Sequence, residues 1–168
     1  MMSGVTNVSE ENDINYANFL ERVRGELERS KRYNRGFSIC LFSIGGGKEF
    51  LAVDHKPLVR ELSKLILDVA RIPDIVVSCS ADELALIMPE TPLPGAFTAA
   101  DRIRTQVSKH VFKVGSTDVS ITVNMGVAAY PDHAADPEAL AQAARQAMEL
   151  SATREPNSIS SASELGEQ

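Results

Sequence analysis

Two short elements hold the side chains best suited to chemistry. Arg71-Ile-Pro-Asp74 is an Arg-x-x-Asp step, and residues 75–79 separate it from a polar turn, Ser80-Ala81-Asp82-Glu83, with two adjacent carboxylates. An arginine presents a planar fork of N–H donors to paired acceptors, such as a phosphate or the acceptor edge of a purine. A neighbouring carboxylate can accept from a donor edge. Composition alone supplies such a spacing by chance, and a plainer role exists for each residue. Arg71 could cap a helix through the C-terminal dipole, and Asp74 could open a strand. The paired acids Asp82 and Glu83, with no partner ligands beside them, read as a solvated turn.

The remaining reactive residue types are sparse. His55, His110 and His133 are scattered, with no zinc-like spacing. Cys40 and Cys79 both sit in apolar, strand-like runs and are expected to be buried free thiols in a reducing cytoplasm. The formal charge of −6 argues against general affinity for nucleic acid, which needs clustered cations. The sequence has no apolar run near the ~18 residues of a membrane span and no signal-peptide pattern. A chain of 168 residues, 43% hydrophobic, suffices for one domain with a real core.

The elements that must position these residues follow from periodicity. Residues 1–13 are polar and unpatterned and read as a mobile lead-in. From Tyr16 the apolar residues Phe19, Leu20, Val23 and Leu27 recur at the helix period, to about Tyr33. Phe37 to Ile44 has the β-rich apolar character of a central strand, broken by Gly45-Gly46-Gly47. Pro57 opens a second helix with Leu58, Leu62, Leu65, Ile66 and Val69 on one face. Two strands then flank the Ser80–Glu83 turn as a hairpin.

A third helix beyond Pro94 carries Ala96, Ala99, Ile103 and Val107 inward. A long strand follows over Val119 to Tyr130, with a short one near Phe112. Asp136-Pro137-Glu138 starts a last helix, with a capping acid, proline in the first turn and a negative charge at the positive dipole end. Residues 14–159 are thus expected to form one domain and residues 160–168 a flexible tail. The core order strand, helix, strand, strand, helix, strand is the split βαββαβ arrangement. It predicts an α/β (α+β) sandwich of ferredoxin-like type, with a mainly antiparallel sheet flanked by helices. That architecture hosts many activities.

From Phe19 to Ile159 the chain resembles the GGDEF family of diguanylate cyclases. Ser80-Ala81-Asp82-Glu83-Leu84 stands where the family writes Gly-Gly-Asp/Glu-Glu-Phe. The runs Glu28-Arg29-Ser30-Lys31-Arg32-Tyr33, Leu86-Ile87-Met88-Pro89-Glu90-Thr91, Asp101-Arg102-Ile103-Arg104 and Thr122-Val-Asn-Met-Gly-Val-Ala128 fall in the family's order. The resemblance implies a nucleotide-cyclase palm. In the family two GTP molecules, one on each subunit of a dimer, are joined into cyclic di-GMP using carboxylate-bound divalent metal.

The catalytic positions depart from that pattern. Ser43 replaces the first metal-binding carboxylate, and a neutral hydroxyl is a poor ligand for Mg²⁺. Ser80-Ala81 replaces the two glycines that let backbone approach phosphate. The guanine-reading segment is reduced to Leu51-Ala-Val-Asp54-His55-Lys-Pro57. Ser151-Ala-Thr-Arg-Glu-Pro-Asn157 lacks the family's triphosphate-contacting Lys and Arg at their places. Asp82 and Glu83 remain. The resemblance therefore implies a degenerate domain with no catalytic residues and no metal, and no enzyme activity.

The family's product-binding site, by contrast, is matched residue by residue. Arg71 and Asp74 take the places of its Arg-x-x-Asp, and Arg102 that of the further arginine on the helix after the hairpin. The expectation is a cytoplasmic cyclic di-GMP receptor, without nucleic-acid binding or direct membrane insertion. It would signal by ligand-driven association or domain reorientation, as a homodimer or with a partner protein. The alternative is a nucleotide-independent interaction or dimerisation module using the amphipathic first helix. GTP binding without turnover would rest on Asp82, Glu83 and Lys48 alone.

Overall fold

The computed structural model describes residues 8–167. Its central strand, β1 (Phe37–Gly46), explains the architecture, because alternate side chains of a strand point to opposite faces. Phe37, Ile39 and Leu41 join one buried cluster, with Phe19, Val23 and Leu27 of helix α1 (Val8–Tyr33) and Leu140, Ala144 and Met148 of the last long helix. Cys40, Phe42 and Ile44 join the other. There they meet Leu58, Leu62 and Ile66 of α3 (His55–Val69), and Ala96, Ala100, Ile103 and Val107 of α4 (Leu93–Lys109). Both faces of the strand are covered, so its residues form an apolar run broken only by Ser38 and Ser43 before the glycines. Burying one side chain the size of Phe42 is worth ~1.5–3 kcal/mol.

The five-stranded sheet has the order β2-β3-β1-β6-β7. β2 (Ile75–Ser80) and β3 (Glu83–Pro89) form the expected antiparallel hairpin, and β3 pairs β1 antiparallel. On its other side β1 pairs antiparallel with β6 (Ile121–Tyr130). A separate small hairpin, β4 (Phe112–Val114) with β5 (Thr117–Val119), precedes β6. Helix α5 (Pro137–Arg154) begins as the sequence predicts, with the Asp136 carboxylate accepting from the Ala139 N–H at 2.8 Å. The mixed α/β sandwich is therefore as expected, and the cysteines are buried free thiols. Burial pushes the Cys40 thiol up. It also pushes Cys79 up to about 12, aided by Glu83 and opposed by Arg145.

Several boundaries differ from expectation. Residues 8–13 of the anticipated lead-in are the first turns of α1, whereas residues 1–7 lie outside the described residues. A helix, once nucleated, propagates at one hydrogen bond per residue beyond its packed stripe, and the apolar period revealed only the stripe. The glycine run ends β1 but is followed by a short helix, α2 (Lys48–Ala52). α3 then opens at Asp54, whose carboxylate caps it by accepting from the Lys56 N–H at 3.1 Å, ahead of Pro57.

Residues 160–167 of the expected flexible tail take up regular structure instead, and residue 168 lies outside the described residues. Ile159–Ser161 forms β7, parallel to β6, and a 3-10 turn runs over Ala162–Glu167. Asn124 supplies the anchor that periodicity could not show. Its Nδ2 donates to Ser151 Oγ at 3.2 Å, Glu155 O at 2.9 Å and Ser158 Oγ at 3.2 Å.

Two acid-sensitive contacts hold this strap. The Arg154 guanidinium and the Ser161 N–H donate to the Glu164 carboxylate, and His133 Nε2 meets Ser163 Oγ at 2.9 Å. Burial pushes the Glu164 carboxyl up, but its donors outweigh this and hold it below the ordinary carboxylate range. Burial lowers the His133 imidazole, partly offset by Asp132, and its Nδ1 accepts from the Ala129 N–H at 2.9 Å. Both groups bind protons more weakly in the folded state. Each therefore contributes stability that is complete above its unfolded value and is lost as pH falls toward the folded one. Amide protection factors at residues 159–161 are expected to drop between about pH 7 and pH 4 before those of β1 do. Equal pH dependence in the two strands would contradict this.

Candidate functional site

The hairpin turn brings together the five positions expected to be remnants of a catalytic site. Ser43 of β1 lies opposite Glu83 of β3 in the antiparallel ladder, and Ser80 pairs Glu83 across the turn after a register shift at the end of β2. The Ile44 N–H donates to the Asp82 carbonyl at 2.9 Å, which ties the Ala81-Asp82 turn to the end of β1. Ser43, Ser80, Ala81, Asp82 and Glu83 thus share one end of the sheet.

The two carboxylates are not simply solvated, as the sequence suggested. His55, the first residue of α3, places Nδ1 2.7 Å from Asp82 Oδ1 and Nε2 2.8 Å from the Phe50 carbonyl. Its ring stacks on Phe50, centroids 4.2 Å apart. Glu83 receives Nη1 of Arg145 from α5, at 2.9 and 3.0 Å to its two oxygens. The Arg145 guanidinium also lies 5.5 Å from the Tyr16 ring centroid. Burial alone would lower the Arg145 pKa, but Glu83 overcomes this and holds it above its ordinary value. Each acid therefore has an internal basic partner. Among the described residues no group of three or more His, Cys, Asp or Glu is arranged to hold a metal.

Sequence reasoning missed His55 and Arg145. Both contacts span long sequence separations, and Arg145 interrupts the alanine-rich inner face of α5, a signal that was available. Arg145 and Glu83 are 24% and 23% exposed, so removing one leaves the other partly desolvated and uncompensated. Arg145→Ala is expected to cost about 1–2 kcal/mol in urea unfolding at neutral pH. A change below ~0.3 kcal/mol would mean that the pair is solvent-screened.

Arg71 and Asp74 lie at the opposite end of β2. After α3 ends, the Arg71 N–H donates to Asp74 Oδ2 at 2.9 Å and the Asp74 N–H donates to the Arg71 carbonyl at 3.0 Å, closing a tight turn. The Asp74 side chain is only 2% exposed, whereas that of Arg71 is 55% exposed. Nη2 of Arg71 donates to the Pro89 carbonyl at 2.8 Å, to Asp74 Oδ1 at 3.4 Å and to the Thr91 hydroxyl. Arg71, Asp74 and Arg102 line one cleft of ≈ 530 Å³ between this turn and α4, together with Met88, Thr91 and Thr98. That is within the usual range for small-molecule sites. The neighbouring Arg104 does not line it, and instead binds Asp101 at 2.6 and 3.0 Å.

The geometry can now be set beside known proteins. Residues 56–158, more than half of the chain, match the model of the diguanylate cyclase GGDEF domain. That segment contains Arg71, Asp74, Asp82, Glu83 and Arg102 but begins after Ser43. The response regulator PleD of Caulobacter vibrioides is 33% identical over 85 residues, covering 49% of this chain and only 19% of PleD.

Among solved structures, the GGDEF domain of PA1120 (YfiN or TpbB) from Pseudomonas aeruginosa superposes with a TM-score of 0.76 at 21% identity. The match covers 86% of this chain and 93% of that one. The GGDEF domain of DgcB from Caulobacter crescentus, solved in complex with c-di-GMP, gives 0.75 at 20% identity over 88% and 90% of the two chains. The palm-like fold is common to this chain and both solved domains, and the chain belongs to the GGDEF domain family of diguanylate cyclases.

Proposed function

We propose that this chain is a catalytically inactive GGDEF domain that acts as a cyclic di-GMP receptor through Arg71, Asp74 and Arg102. The observation that carries the reading is the cleft of ≈ 530 Å³ that these three residues line together. Two guanidinium groups there suit a ligand with anionic phosphates and guanine acceptor edges, and the buried Asp74 carboxylate holds the Arg71 turn in place. The DgcB domain of similar fold is bound to the same dinucleotide in its crystal.

The turn at the far end of β2 supports the inactive half of the reading. Phosphoryl transfer from GTP would require divalent metal held there by carboxylates, which would neutralise phosphate charge. The residues present do not fit such a metal. Ser43 offers a neutral hydroxyl, while Asp82 and Glu83 are engaged by His55 and Arg145. No step is therefore assigned to a metal, and the turn serves as a polar clasp joining β3, α3 and α5. In a cell the domain reads the dinucleotide rather than making it, and binding shifts association or the orientation of attached domains.

The test has two arms. Incubation with GTP and Mg²⁺ is expected to yield no cyclic di-GMP, whereas added cyclic di-GMP is retained by the protein in equilibrium dialysis. Product formation contradicts the inactive half of the reading, and an even partition of the dinucleotide contradicts the receptor half.

A further inference from the structure

Arg71 reaches the cleft through a contact that has no part in the motif itself. Thr91 follows β3 at the point where the chain turns toward α4, next to Glu90, whose φ of 54° is a left-handed conformation. That turn sends the Thr91 side chain inward. The residue is 8% exposed, its hydroxyl donates to the Pro89 carbonyl at 2.9 Å, and its own carbonyl accepts from the buried Ser38 hydroxyl at 2.7 Å. With its hydrogen committed to Pro89, the Thr91 oxygen accepts from Nη2 of Arg71. The Pro89 carbonyl accepts from that same nitrogen at 2.8 Å.

A single terminal nitrogen of Arg71 is thus held by two acceptors fixed to β3 and by Asp74. We infer that Thr91 is a positioning residue for the ligand arginine. It fixes Nη2 against the sheet, so that the guanidinium plane presents its other donors to a guanine edge or a phosphate oxygen in the cleft. This deepens the receptor reading and rests on it.

An arginine side chain has several rotatable bonds, and immobilising it before binding removes an entropic cost that the ligand would otherwise meet. Thr91 lines the cleft and also sits in the run Leu86-Ile-Met-Pro-Glu-Thr91, a stretch of family resemblance without a role in the binding triad. Valine has nearly the shape of threonine but no hydroxyl, whereas serine keeps the hydroxyl and loses a methyl.

Calorimetric titration with cyclic di-GMP is expected to show Thr91→Val binding about tenfold more weakly than the unaltered chain. Thr91→Ser is expected to stay within about twofold, and thermal melts of both ligand-free variants report whether they fold. A purely structural role would lower the melting temperature of Thr91→Val and leave its affinity unchanged, and that result overturns the inference. A Thr91→Ser variant as weak as Thr91→Val also overturns it, because the hydroxyl would then not be the cause. Arg71→Ala in the same titration separates the two claims. If Arg71→Ala binds normally, the assignment of the ligand to this cleft fails, and the positioning role with it. If it binds weakly while Thr91→Val binds normally, only the positioning role fails.

Discussion

Arg71→Ala is expected to weaken cyclic di-GMP binding ~30–100-fold, the loss of one or two charge-assisted hydrogen bonds to the ligand. The ligand-free protein is also expected to lose about 1–3 kcal/mol, since the substitution leaves the 2%-exposed Asp74 carboxylate without its charged partner. The turn survives the substitution because alanine keeps the backbone N–H that donates to Asp74 Oδ2 at 2.9 Å. Asp74→Ala is a poorer probe. It removes the acceptor of that turn along with the 2%-exposed carboxylate, so lost binding and lost local structure would coincide. Arg102 projects from the exposed face of α4, and Arg102→Ala should have the smaller effect of the two arginines. Unchanged affinity in Arg71→Ala would remove the guanidinium from the site.

Gly126→Ala is expected to have the largest effect on the fold. Gly126 lies in β6 where α5 crosses it, and an added Cβ would stand 2.1 Å from the Ala144 carbonyl oxygen and 2.2 Å from the Met148 nitrogen. These are backbone atoms of a helix packed on the central sheet, so no side-chain rotation can make room. The helix must lift from the strand or β6 must bow. Either response disturbs the buried cluster of Leu140, Ala144 and Met148 against β1. A cost of about 3 kcal/mol follows, lowering the melting temperature by roughly 6–12 °C. A melt within about 2 °C of the unaltered chain would mean that this helix–strand contact is looser than described.

The apolar, β-rich run of Phe37 to Ile44, the stripes of α1 and α3 and the Asp136 cap made the core topology legible from sequence, since each is a pattern local in the chain. The end of the chain was not legible in this way. Ile159-Ser-Ser161 is too short and polar to announce a strand. It is ordered by pairing with β6 and by Asn124, a partner distant in sequence. The candidate sites divide along the same line. Arg71 and Asp74 are neighbours in sequence, and their placement with Arg102 could be anticipated by register. His55 with Asp82, Arg145 with Glu83 and Thr91 with Arg71 depend on how distant elements pack, and apart from the charge of Arg145 on the alanine-rich face of α5, residue types alone carry no trace of such contacts.

The chain spans 19% of the length of PleD, and no helix among the described residues is long and apolar enough to cross a membrane. Any receptor role turns on whether the chain binds cyclic di-GMP at all. Calorimetric titration of the unaltered chain with cyclic di-GMP, using GTP with Mg²⁺ as the comparison, addresses this most directly. The account predicts micromolar or tighter binding of cyclic di-GMP and no measurable heat with GTP. Binding of GTP, or silence with both nucleotides, would contradict it, and silence would favour a nucleotide-independent interaction module.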